Sequence, residues 1–336
     1  MKNETLHHGG HGGHGRENDR QSSTRERFLP WLGITIMAVS ETATLLHIEP
    51  FWSWNTPIAW TGFIIFADSV VYRARGDSWI RSAPREFALL AVASIPLWLV
   101  FEWFNLYIRN WHYTGLPESF WLQQFGYAWS FATIWPAIFE GAELFGVVRA
   151  GWPGRAGWAG SDGQDRPARP ASRAALPAHP APPALWIAIG AAMLVSPFLV
   201  SPETARYMAA PVWLGFIFLL DPINARLGGA SLLAEWRAGR FDRTINLALS
   251  GVLCGVLWEF WNYWAHAKWH YTVPIMEHLK IFEMPVPGYL GFPAFAFECF
   301  TMYEFLRRLW VRLKPDTTLA GTPSARAHLR LRPIGL

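Results

Sequence analysis

Glu102 and Asn105 lie three residues apart, and Glu259 and Asn262 repeat that spacing. On a helix this puts carboxyl and carboxamide on one face, where they can bond each other or share a ligand. Each pair precedes a Trp-His-Tyr-Thr block, Trp111 to Thr114 and Trp269 to Thr272, and then a proline with an acid beyond it. Those are Pro136 with Glu140 and Pro293 with Glu298. All four glutamates sit in apolar runs, where an ionised carboxylate costs several kcal/mol. One reason for them is mechanical, since acids and amides hold helices together in apolar surroundings. The other is chemical. A carboxyl in a water-poor cavity keeps its proton, and aromatic faces stabilise a cation. Together they suit protonation of an alkene and guidance of the carbocation. In that reading Glu102 and Glu259 donate the proton, or one donates and the other is a relic. Asn105 and Asn262 orient them, while Glu140 and Glu298 stabilise positive charge. Trp111, His112, Tyr113, Trp269, His270 and Tyr271 then line the substrate.

The elements that must position these residues are written twice. Phe101 to Tyr107 reappears as Trp258 to Trp264, and Trp60-Thr61-Gly62-Phe63 with Asp68 and Arg73 as Trp213-Leu214-Gly215-Phe216 with Asp221 and Arg226. A unit of roughly 150 residues is half of a two-lobed molecule rather than a solenoid repeat. Glu41, Glu143 and Glu304 have no counterpart in the other copy and carry less weight. Asp68 and Asp221, near basic residues, read as salt-bridge partners of Arg73 and Arg226.

Half of the 336 residues are apolar, and 21 are tryptophan. Apolar runs near 28–48, 55–72, 86–108, 122–147, 184–203, 208–224, 244–265 and 288–311 are expected to be helices crossing a bilayer about 30 Å thick, which takes ~20 residues. The chain is therefore expected to be an all-α, polytopic membrane protein of eight spans. Of the 29 Lys and Arg, all but Arg109, Arg206, Lys268 and Lys280 then fall on one side. That imbalance places both termini in the cytoplasm and the protein in a cell inner membrane. Four spans per copy make the halves parallel repeats about an axis along the membrane normal. The organisation is a polar tail over 1–27, repeat 1 over 28–149, a Pro/Gly/Ala-rich linker over 150–183, repeat 2 over 184–312 and a basic tail over 313–336.

The basic balance, net charge +4, follows topology rather than one face, which argues against a nucleic-acid partner. The partner implied is a membrane lipid or another apolar small molecule. Cys254 and Cys299 read as packed thiols. No His/Glu spacing completes a ligand set, so no metal and no cofactor is expected. His7, His8, His11 and His14 offer at most a loose metal contact in the N-terminal tail.

The acid–Asn helix, the aromatic Trp-x-Tyr stretch and the Pro-led acidic helix resemble the membrane carotenoid cyclase domain of lycopene cyclases. The matching residues are Glu102, Asn105, Trp111, Tyr113, Pro136 and Glu140, then Glu259, Asn262, Trp269, Tyr271, Pro293 and Glu298. The chain departs from that family where Gly141 and Cys299 replace the second acid of an adjacent Glu-Glu pair, and in having four helices per half instead of about three. The resemblance implies cofactor-free, acid-initiated isomerisation of a long polyene in the membrane. Two other classes fit the same sequence: a proton-coupled transporter, which needs a polar path from the outer acids to Asp68 or Asp221, and a scaffold whose acids only lock helices.

Overall fold

The computed structural model describes residues 13–151 and 182–313, those before 28 by their backbone alone. The fold is mostly helical. The first half runs α1 (Gly13–Leu45), α2 (Phe51–Arg75), the short α3 (Trp79–Ser82), α4 (Pro84–Ile108), strand β1 (Trp111–Thr114) and α5 (Phe120–Ala150). The second runs α6 (Pro183–Val195), α7 (Pro202–Ala205), α8 (Ala209–Arg226), α9 (Leu232–Arg237), α10 (Asp242–Trp264), β2 (Lys268–Tyr271), β3 (Lys280–Ile281), β4 (Met284–Pro285) and α11 (Gly291–Leu313).

Among the described residues, four helices are long and apolar enough to cross a membrane: Phe28–Leu45 of α1, Pro84–Ile108, Phe120–Ala150 and Asp242–Trp264. α6 is apolar but short, whereas α2, α8 and α11 carry buried acids and basic last turns. α1 begins at Gly13, so half of the tail expected over 1–27 is helical. Its Arg, Glu and Gln residues are good helix formers, and no proline interrupts before Pro30. The 150–183 linker lies outside the described residues apart from its ends, as do the tail after Leu313 and His7, His8 and His11.

Helices pack closely where small residues meet. Gly33 of α1 faces Gly62 of α2, and Gly190 of α6 faces Gly215 of α8; a side chain at any of these would strike the opposing helix. Between apolar helices in lipid the gain is contact rather than water release, so such approaches matter. Gly251 and Gly255 give α10 the same smooth face under Phe292 of α11. The Ser94 hydroxyl of α4 enters the α5 backbone ladder, donating to the Phe131 carbonyl and accepting from Trp135 N at 3.2 Å. That satisfies groups beside Pro136, which cannot donate.

The acids near the other end of the bundle are structural. Asp221 accepts from the Ser231 hydroxyl and from the Leu232 and Leu233 amides, at 2.7, 2.7 and 3.0 Å, holding the start of α9. Asp68 accepts from Ile80 N of α3 at 2.9 Å and lies 3.7 Å from Arg81. Arg81 and backbone amides, rather than Arg73 and Arg226, are thus their partners. The sequence hid this because α3 and α9 are too short to show a period. Glu143 pairs with Arg75, and Glu304 with Arg307 and Arg308. Cys254 and Cys299 are buried free thiols.

Candidate functional site

The Trp-His-Tyr-Thr blocks, which lie between the apolar runs, form strands that pair with each other. β1 and β2 run antiparallel with Trp111 opposite Tyr271, His112 opposite His270, Tyr113 opposite Trp269 and Thr114 opposite Lys268. Asparagines from the helices beneath hold this ribbon. Asn105 donates to Trp111 O at 2.8 Å and accepts from Asn110 N and Trp111 N. Asn262 donates to Trp269 O at 2.8 Å and accepts from Trp269 N at 2.9 Å. Both carboxamides are therefore spent on strand backbone. They do not orient the acids, as the helix spacing had suggested, because a four-residue strand leaves backbone groups that need partners.

Tyrosines orient the acids instead. The Tyr113 hydroxyl donates to Glu102 Oε1 at 2.5 Å, and the Tyr271 hydroxyl to Glu259 Oε1 at 2.9 Å. Burial, then the neighbouring Glu102 carboxylate, pushes the Tyr113 phenol well above its ordinary pKa, and burial with Glu259 does the same for Tyr271. Both phenols keep their hydrogen at neutral pH. Beyond this the two pairs differ. Glu102 is half-buried, and its Oε1 also accepts from Trp98 Nε1 at 2.8 Å and Trp111 Nε1 at 3.3 Å. Glu259 is wholly buried, and its Oε2 faces the Glu283 and Met284 amides without closing a full hydrogen bond. Glu102 Oε1 thus accepts three donors and Glu259 Oε1 one, and the wholly buried Glu259 keeps a second oxygen with room for a proton.

Strand alternation sends neighbouring side chains to opposite faces. Trp111, Tyr113, Trp269 and Tyr271 face inward. His112 is exposed, with its ring 5.6 Å from that of His270. His270 in turn meets Glu283 at 3.1 Å and Thr114 at 3.1 Å. The histidines, expected against substrate, are thus on the wrong face of the ribbon for it.

Under the ribbon lie two cavities. The first, about 110 Å³, is bounded by α2, α4, α5 and the ribbon, with Trp54, Thr56, Trp60, Tyr113 and Tyr127 on its wall. The second, about 400 Å³, lies between α8, α10, the start of α11 and the β3–β4 hairpin, with Tyr207, Ala209, Met284, Pro287 and Phe292 on its wall. Trp98, Trp111, Trp213, Trp258 and Tyr271 belong to both walls, so the cavities abut. Trp98 and Trp258 pack at 5.8 Å and Trp98 and Trp213 at 6.4 Å between ring centroids. Glu102 and Glu259 sit one layer behind the tyrosines and on neither wall.

Glu140 and Glu298 are also off both walls. Each is buried with both carboxyl oxygens lacking a hydrogen-bond partner, and Glu140 neighbours Asp68. Neither touches the cavities: Glu140 lies further along α5 than Trp135, and Glu298 further along α11 than the wall residue Phe295. Among the described residues no three His, Cys, Asp or Glu side chains gather as a metal set. The wall tryptophans outside the expected site residues are Trp54, Trp60, Trp98, Trp213 and Trp258; the signal available was the repeat itself, which holds Trp60, Trp213 and Trp258. No family model matches the chain, and comparison with curated proteins and with solved structures gives no match either.

Proposed function

We propose that the protein is a membrane enzyme that protonates an apolar, isoprenoid-like lipid held in the tryptophan-lined cavities. The observation that carries this is the Tyr271–Glu259 contact at the wall shared by both cavities. In the reaction the resting contact reverses: the Glu259 carboxyl turns to donate its O–H to the Tyr271 oxygen and passes that proton to it, while the phenol hydrogen, released from Glu259 Oε1, goes to an alkene carbon of the lipid. The π-bond supplies the electron pair, leaving a Glu259 carboxylate and a lipid carbocation. The faces of Trp98, Trp213 and Trp258 stabilise that cation, an interaction worth about 2 kcal/mol or more when desolvated. Loss of a proton from a neighbouring carbon to the phenol oxygen, with the phenol hydrogen returning to Glu259, gives an isomerised or cyclised product and restores the acid. Glu102, whose Oε1 accepts from Tyr113, Trp98 and Trp111, fixes the ribbon.

This reading takes all eight long or apolar helices as spans, arranged as two parallel repeats with both termini in the cytoplasm of a cell inner membrane. The ribbon register supports it: His112 and His270 are equivalent in the two copies and stand opposite each other, as a two-fold axis between them requires. The twin Asn–Trp and Tyr–Glu bonds support it too. A transporter would need a polar path from the ribbon acids to Asp68 or Asp221. The space between holds fully buried Phe101, Trp135, Phe139 and Phe300, which favours the enzyme. Mass spectrometry of lipids and pigments from cells with and without the gene tests the proposal. A shifted isoprenoid profile is expected; identical profiles would refute it and turn attention to transport.

A further inference from the structure

The two cavities occupy corresponding places in the two halves but have diverged. Matching Trp60 with Trp213, the positions that are Trp54 and Thr56 on the smaller wall are Tyr207 and Ala209 on the larger. The smaller wall carries three buried polar atoms that close no full hydrogen bond: Trp54 Nε1, Thr56 Oγ1 and Trp269 Nε1, the last facing the Tyr271 oxygen. Trp54 interrupts α2 with non-helical φ −118° and ψ 30°, and its indole nitrogen faces Gly126, where no side chain covers it. Two of these atoms can only donate, and the third can. On the larger wall Asn110 Oδ1 is the sole such atom among the described residues.

The sizes differ in the same sense. About 400 Å³ lies within the ~300–1,000 Å³ of ligand pockets. About 110 Å³ holds only a small group, at ~30 Å³ for each water-sized piece. The hairpin is what enlarges the second cavity. Where α5 is helical from Phe120, the second half has the β3–β4 hairpin and then a 3-10 turn over Val286–Leu290, so α11 starts only at Gly291.

We infer that the cavities are head and tail subsites of one lipid site. The smaller takes a neutral oxygen acceptor such as a ketone or hydroxyl, and the larger takes the hydrocarbon chain. Lys268, which also lines the smaller cavity, is turned to Glu283 at 3.7 Å and to Tyr263 O at 3.1 Å, so the donors left open on that wall are neutral ones. This inference rests on the lipid reading above and names the class of lipid.

The test uses purified full-length protein in detergent, with a radiolabelled sixteen-carbon methyl ketone and the sixteen-carbon terminal alkene as probes, each partitioned against protein-free micelles. The ketone should bind more tightly than the alkene. Trp54→Phe and Trp269→Phe should each weaken the ketone about three- to tenfold, the worth of one hydrogen bond, and leave the alkene unchanged. Ala294→Trp, which fills the larger cavity, should weaken both. Where a tryptophan variant elutes aggregated, the isosteric Thr56→Val gives the same comparison. Equal binding of ketone and alkene, equal losses for both in the donor variants, or no effect of Ala294→Trp would overturn the inference. Because no turnover is read, ketone selectivity in a protein that leaves cellular lipids unchanged would sink the chemistry and keep the site.

Discussion

Two glutamates with the same sequence neighbours have been given different surroundings by one substitution nearby. Trp98 has Gly255 as its counterpart, matched one turn before each acid, so Glu102 gains an indole donor that Glu259 lacks. Gly255 instead admits Phe292 and lets α11 close on α10. The asparagines, by contrast, do the same work in both halves. Asn262 is wholly buried and makes two hydrogen bonds to Trp269 backbone. Asn262→Ala should therefore lower stability by about 2–4 kcal/mol, since it strands buried backbone groups as well as losing bonds. The half-buried Asn105→Ala should cost less. Denaturation in detergent followed by tryptophan emission reads both, and a larger loss at Asn105 would show that the ribbon is not held this way.

At the scale of elements, what could be read from sequence was set by length. Runs of apolar residues gave every long helix to within a few residues except α1, which begins at Gly13 instead of near 28, because a long apolar run has few other ways to satisfy its backbone. Four-residue strands have no such signature, and β1 finds its partner in the opposite half of the chain. The acids beside aromatics were visible, but their true partners were not: Tyr113 and Tyr271 reach back to Glu102 and Glu259 only because the ribbon folds under. The larger cavity is walled in part by Pro285, Pro287 and Gly288, where the helix expected over 288–311 becomes α-helical only from Gly291. The ribbon makes a sharp prediction. Opposed residues of an antiparallel pair lie about 4.5–5.5 Å apart at Cα, inside the range a disulfide tolerates. His112→Cys with His270→Cys should cross-link the halves on mild oxidation, seen as joined fragments on a non-reducing gel after cleavage at a protease site placed in the linker. Separate fragments would contradict the register. Cys254 and Cys299, being buried, leave the readout clean.

The whole molecule joins two lobes at one end through the ribbon and along their length through α5 against α10, where Ser250 donates to Ile138 O at 2.7 Å. On the proposed topology, in which both repeats enter from one side, reporters fused at either terminus should be active only in the cytoplasm, and reporters inserted near 116 and 277 only outside. A terminus reporting outside would break the parallel-repeat arrangement. The central claim is that Glu259 delivers a proton through Tyr271 to a lipid. Its most direct measurement is deuterium incorporation into isoprenoid lipids of cells grown in heavy water after their precursors are labelled and chased. The wild-type protein should add one solvent-derived deuteron to its product. Tyr271→Phe and Glu259→Gln should reduce that product about a hundredfold or more, as loss of a general acid does, with a smaller effect for Glu102→Gln. Product formed without solvent deuterium, or formed equally by Glu259→Gln, would contradict the account.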